Sequence, residues 1–213
     1  KGYFVLDVTN PTTATIPGGA PAFTAANASQ LVKLDRTRSI EAGTAPNCTV
    51  TGISALEQAA CNIAVEEDRD MGHITARPVQ AENDPMRTTQ ITRMNNNRWA
   101  AVMGNGYNST NQRPVLLVQY LDGAKELLRL PVTTDAAGTG KALDNGLSAP
   151  RLVDINGDGT PDVAYAGDNQ GNMWKFDLTN VDASNWNTAF NGVPLFTAKG
   201  PASLSSTSPT KIQ

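Results

Sequence analysis

Seven short β-prone runs, at 89–94, 98–104, 114–121, 126–132, 149–154, 161–167 and 172–178, follow one another with Gly, Asn or Asp clusters between them. Runs of this length and spacing predict a sheet-built, all-β fold: a sandwich, a barrel or a propeller. The 18 glycines and 13 prolines suit strands joined by turns better than a helical bundle. At 213 residues the chain is long enough to bury a sizeable core. A net charge of only -3 argues against an electrostatic nucleic-acid binder. No apolar run approaches the roughly 18 residues of a membrane-spanning helix.

Internal echoes narrow the choice. Phe4-Val-Leu-Asp-Val-Thr-Asn10 matches Trp174-Lys-Phe-Asp-Leu-Thr-Asn180, and Trp99-Ala-Ala-Val-Met-Gly-Asn105 matches Asp162-Val-Ala-Tyr-Ala-Gly-Asp168. Strand-ending motifs that recur at irregular spacing predict a propeller whose blades carry insertions of different length.

The stretch Asp154-Ile-Asn-Gly-Asp-Gly-Thr-Pro-Asp162 predicts a metal site. Side-chain oxygens fall at positions 1, 3, 5 and 9 (Asp154, Asn156, Asp158, Asp162), and Thr160 at position 7 offers its backbone carbonyl. An all-oxygen set in a tight loop is what Ca²⁺ requires, and Gly159 allows the sharp turn. The plain alternative is an Asn/Gly/Asp turn between strands. Three carboxylates within nine residues argue against it, because without a cation they repel. An EF-hand is excluded by Tyr165 at position 12, where that motif needs Glu, and by flanks without helical periodicity.

Three linked elements carry a family resemblance: Asn105-Gly-Tyr-Asn-Ser109 after the strand Trp99–Gly104, Asn145-Gly-Leu-Ser148, and Tyr165-Ala-Gly-Asp-Asn-Gln-Gly-Asn-Met-Trp-Lys-Phe-Asp-Leu178 after the Asp-rich loop. The series resembles the C-terminal β-propeller of the PilY/PilC-type type IV pilus biogenesis factors and tip adhesins. Asp70-Met-Gly72 and the strand Gly2 to Pro11 extend it. The likeness is dense over 70–180, supported at 1–11 and absent over 12–69.

The resemblance implies a partial, modified, quinoprotein-like propeller with calcium held by Asp154, Asn156, Asp158, Thr160 and Asp162. Asn156 stands where Asp is common, and an amide oxygen still coordinates. It further implies an exported, non-catalytic module at the cell surface, the pilus tip or the outer membrane. Its partners would be minor pilins or other tip components, a host-cell or surface ligand, and the N-terminal region of the same full-length protein, with no nucleic acid. On this reading 1–213 is a fragment of one propeller domain. Residues 12–69 form a low-complexity, cysteine-containing insertion, and 70–180 hold the best-matched blades. Two competitors are a quinone-dependent dehydrogenase-like enzyme and an integrin-like FG-GAP propeller. The former often shows a vicinal cysteine pair that is missing here, and the latter repeats its Asp-rich loop, which occurs once here.

Other features have plain readings. Cys48 and Cys61, 13 positions apart, predict either a disulfide suited to an exported protein or two buried thiols. Residues 11–29 read as loop, Leu31 to Leu34 as a short strand and Ile53 to Ala64 as one short helix. The charge cluster Glu66 to Asp70 reads as solvated surface. Trp99, Trp174 and Trp186 suggest packing between blades, with a sugar-stacking platform as the sharper alternative. The resemblance makes Asp168 and Asp177 turn and inter-blade hydrogen-bonding residues, and His73 reads as structural.

Overall fold

A computed structural model of the chain describes residues 1–10, 22–37, 47–132 and 145–198. Of the loop expected over 11–29, residues 11–21 lie outside the described residues, and the rest is corrected in part by short helical turns at Ala25–Asn27 and from Ala28. Thirteen strands are present among them: β1 (Gly2–Leu6), β2 (Val32–Thr37), β3 (Gln80–Ala81), β4 (Asp84–Thr88), β5 (Ile91–Arg93), β6 (Trp99–Gly104), β7 (Val115–Tyr120), β8 (Leu127–Pro131), β9 (Arg151–Val153), β10 (Val163–Gly167), β11 (Asn172–Asp177), β12 (Asn187–Thr188) and β13 (Phe196–Thr197). One helical turn, α1 (Ala28–Leu31), and one longer helix, α2 (Ala55–Asp70), interrupt them.

Two sheets repeat one plan. Strands β5-β6-β7-β8 form an antiparallel meander in chain order, and β9-β10-β11-β12 form a second, with β13 also on β11. A sequential four-stranded meander is the connectivity of a propeller blade. Strands β1 and β2 form a separate two-stranded antiparallel sheet, with Phe4 opposite Asp35. The β2 strand falls inside the 12–69 span, so that segment supplies a strand to the sheets.

The echoes are structural repeats. In both Asp7 and Asp177 one carboxylate oxygen accepts from the backbone N–H and the hydroxyl of the threonine two positions on, at 3.1 and 2.6 Å around Asp7 and 3.0 and 2.6 Å around Asp177. Asn105 and Asp168 each follow the second strand of a meander and gather donors from neighbouring segments. Asn105 accepts from the N–H groups of Val115 and Leu147, while its amide donates to the carbonyls of Asp70 and Arg113.

One apolar core spans both meanders. Met94, Val102 and Val118 of the first pack with Ala164, Phe176 and Trp186 of the second. All six residues of β7 are buried, because its other face meets Ile74, Met103 and Leu127. That double burial explains why Val115-Leu-Leu-Val118 reads as an unbroken apolar run instead of alternating.

Helix α2 departs from expectation. It begins at a capping box, Ser54 with Glu57, and runs on to Asp70, through the cluster read as solvated surface. Asp70 is fully buried, which corrects that reading. Its charge is tolerable inside because Arg113, Arg129 and Asn111 surround it. Cys48 and Cys61 are bonded, closing the disulfide over the first part of the helix. No helix among the described residues is long and apolar enough to cross a membrane.

Candidate metal centre

The nine-residue segment Asp154–Asp162 joins β9 to β10, whose ends pair at Val153 and Val163. A backbone bond from Asp162 N–H to the Val153 carbonyl (2.9 Å) closes the base of the loop. Gly157 and Gly159 take left-handed backbone angles, φ 80° and 89°, which a residue with a β-carbon adopts only with strain.

The carboxylates organise the loop from inside. The two oxygens of Asp154 accept from Gly157 N–H (2.7 Å) and Gly159 N–H (2.8 Å). Asp162, nearly buried, accepts from Ile155 N–H at 2.7 Å and Asn156 N–H at 3.2 Å. Asp158 Oδ1 accepts from the backbone N–H (2.8 Å) and the hydroxyl (2.6 Å) of Thr160, and the Asn156 amide donates to its Oδ2 at 3.1 Å. The Thr160 hydroxyl foremost, then the Thr160 N–H and the Asn156 amide, hold the Asp158 carboxyl below its ordinary range. Asp158 therefore stays ionised through mild acid.

All five predicted residues lie in this one loop. Among the described residues, no three Asp, Glu, His or Cys side chains converge on a common point. The carboxylates face loop N–H groups and one another's neighbours instead. The donor chemistry nevertheless fits a hard cation: every candidate ligand is an oxygen. Each Asp154 oxygen that accepts one N–H keeps further lone-pair capacity. Asn156 and Asp158 would exchange their mutual hydrogen bond for the ion.

The loop leans on the first meander. A cleft of about 250 Å³ separates Gly159 and Thr160 from Ile91 and Thr92. Asn95, in the β5–β6 turn, bridges the seam: its amide donates to the carbonyls of Pro161 (3.0 Å) and Leu178 (2.9 Å), and its oxygen accepts from the Thr160 hydroxyl (2.8 Å). Met94-Asn95-Asn96-Asn97 reads as an ordinary turn, so sequence reasoning missed this residue.

The other candidates are placed as structural groups. Asp168 accepts five hydrogen bonds, from the N–H groups of Gln170 and Asn172, the amides of Asn145 and Asn172, and the Trp174 indole. Trp174 and Trp186 are core residues, whereas Trp99 is 50% exposed, so the three do not share a stacking surface. His73 forms an isolated β-bridge with Tyr107.

Comparison with known proteins gives concordant matches. The PilY1 beta-propeller domain model matches residues 57–207. The type IV pilus biogenesis factor PilY1 of Pseudomonas aeruginosa is 38% identical over 152 residues, covering 64% of this chain and 12% of that protein. A PilY1 homolog of Xylella fastidiosa is 35% identical over 148 residues, covering 64% of this chain and 9% of that protein. The chain thus spans only a small part of the curated relatives it matches. The crystal structure of the Pseudomonas aeruginosa PilY1 C-terminal domain aligns with a TM-score of 0.50 and 35% identity, over 63% of this chain and 27% of that one.

Proposed function

Because the chain belongs to the PilY1 β-propeller family, we propose that it is the calcium-holding, non-catalytic propeller module of a type IV pilus biogenesis factor. The module is exported and works at the cell surface, at the pilus tip or against the outer membrane. There it contacts minor pilins or other tip components, the remainder of its own full-length protein, and a host-cell or surface ligand.

The observation that carries the calcium reading is the loop itself. Asp154, Asn156, Asp158 and Asp162 bring only oxygen donors into one turn, and Thr160 adds its carbonyl. Asp154 and Asp162 already fix the loop backbone through its N–H groups. The ion would neutralise three neighbouring carboxylates. The residues would then clamp β9 to β10 and hold the loop against the first meander. A structural role agrees with the saturation of Asp168 by hydrogen bonds and of one Asp177 oxygen by Thr179.

Calcium titration of thermal stability tests the reading. The midpoint of the intact protein should rise with the logarithm of free Ca²⁺ once the dissociation constant is passed. Asp158→Ala should lower the midpoint in calcium and abolish its calcium dependence. An unchanged calcium response in that variant would overturn the site assignment.

A further inference from the structure

The hydroxyl of Thr160 stands between two acceptors. It lies 2.6 Å from Asp158 Oδ1 inside the loop and 2.8 Å from Asn95 Oδ1 across the seam. A hydroxyl has one proton to donate, so only one of these oxygens is served at a time. The Asn95 amide cannot evade the competition by turning over. Its nitrogen is committed to two carbonyls, Pro161 and Leu178, which keeps its oxygen facing Thr160.

The charges decide where the proton goes. A hydrogen bond to an ionised carboxylate is roughly twice as strong as one to a neutral amide. While Asp158 carries an unshared charge, Thr160 donates to Asp158 and Asn95 Oδ1 goes unserved. We propose that Thr160 and Asn95 form a latch coupling the cation state of the Asp154–Asp162 loop to the seam between the two meanders. This rests on the calcium reading given above. When Asp158 shares its charge with a bound cation, its hold on the proton weakens. Thr160 then donates to Asn95, adding a third hydrogen bond to the two that Asn95 already makes across the seam. By linkage, a closed latch must favour the cation-loaded loop by the same factor.

The latch predicts an asymmetry that a purely structural contact would not produce. Asn95 accepts the proton only in the loaded state, so Asn95→Ala should weaken calcium binding about fivefold, the worth of one ordinary hydrogen bond. Thr160 donates in both states and more strongly in the unloaded one, so Thr160→Val should leave affinity unchanged or tighten it. In the Thr160→Val background, Asn95→Ala should have no further effect on affinity, because no proton remains to be accepted.

Calorimetric calcium titration of the intact protein and the three variants reads these values. Amide hydrogen exchange of residues 94–98, with and without calcium, provides a second measurement that needs no Asn95 variant. Exchange should slow on calcium addition in the natural protein and in Thr160→Ser, and be insensitive in Thr160→Val. Equal weakening by Asn95→Ala in both backgrounds would overturn the latch, as would an exchange response retained in Thr160→Val. If the natural protein binds no calcium, the site reading and the latch fall together. If it binds calcium and Asn95→Ala leaves affinity unchanged, the latch alone falls.

Discussion

Arg113 grips Asp70 with two parallel bonds, Nε to Oδ1 at 2.8 Å and Nη2 to Oδ2 at 2.9 Å, around a carboxylate wholly buried from solvent. Arg129 adds a bond at 2.5 Å and Asn111 one at 2.7 Å. Asp70 is the last residue of α2, whose opening turn projects into solvent with Leu56 81% exposed. The cluster therefore pins the C-terminal end of the helix to β8 and to the segment leading into β7.

Burial alone would raise the Asp70 carboxyl, but the bonds from Arg113 and Asn111 and the charges of Arg113 and Arg129 overcome it and hold the group below its ordinary value of 3.8. A carboxyl depressed on folding contributes its full stability above the unfolded value and loses it as pH falls through the folded one. Asp70→Asn should cost about 3–5 kcal/mol, the range for breaking one side of a buried ion pair. Its urea midpoints should also fall less steeply below pH ~4 than those of the natural protein, because this titration is removed.

Gly146 passes so near another backbone that a β-carbon placed on it would lie 1.7 Å from the Gly106 carbonyl oxygen. Gly157, in the Asp-rich loop, has nothing within 4 Å of that position. Gly146→Ala should destabilise by about 3 kcal/mol or more, since backbone must move to admit the methyl group. Gly157→Ala should cost only about 1–2 kcal/mol, from its left-handed backbone. Thermal midpoints of the two variants measured side by side check the contrast.

Asp168 ties the Asn145 segment to the hairpin that follows it, and it receives the Trp174 indole at 2.9 Å. Asp168→Ala should cost about 3 kcal/mol by leaving buried donors unpaired. The near-ultraviolet circular dichroism of the tryptophans should change with it. An unaltered spectrum and midpoint would show that Asp168 does not organise this corner.

The Cys48–Cys61 disulfide spans 13 residues and encloses the start of α2. On the chain-entropy model a loop of this length contributes about 3 kcal/mol. Reduction should release residues 47–63 to proteolysis while the two meanders keep their β-sheet signal. Loss of the sheet signal on reduction would mean that the helix is integral to the core.

How much of this was legible in the sequence depended on the range of the interactions. The strands β5 to β11 announced themselves through local pattern, and the Asp7 and Asp177 turns through identical short motifs. Helix α2 was expected over Ile53 to Ala64 and runs from Ala55 to Asp70. Its final turn carries the charges of Glu66 to Asp70, and the partners that bury Asp70 lie 41 to 59 residues further on. The strand expected at Leu31 to Leu34 runs from Val32 to Thr37, because β1 supplies the ladder that its polar residues, Lys33, Asp35 and Arg36, do not advertise. Asn95 left no trace, since two of its three partners are main-chain carbonyls, and a carbonyl has no sequence identity.

The apolar cluster shared by the two meanders has a thermodynamic consequence. The two sheets share their larger interior, because Val118 and Phe176 exclude water from the same space, while the other face of β7 keeps a smaller cluster of its own. Opening one sheet wets the other, so the core amides of both should exchange with solvent only through a single common event. The two blades are thus one cooperative unit, and a change at either should shift the stability of both together.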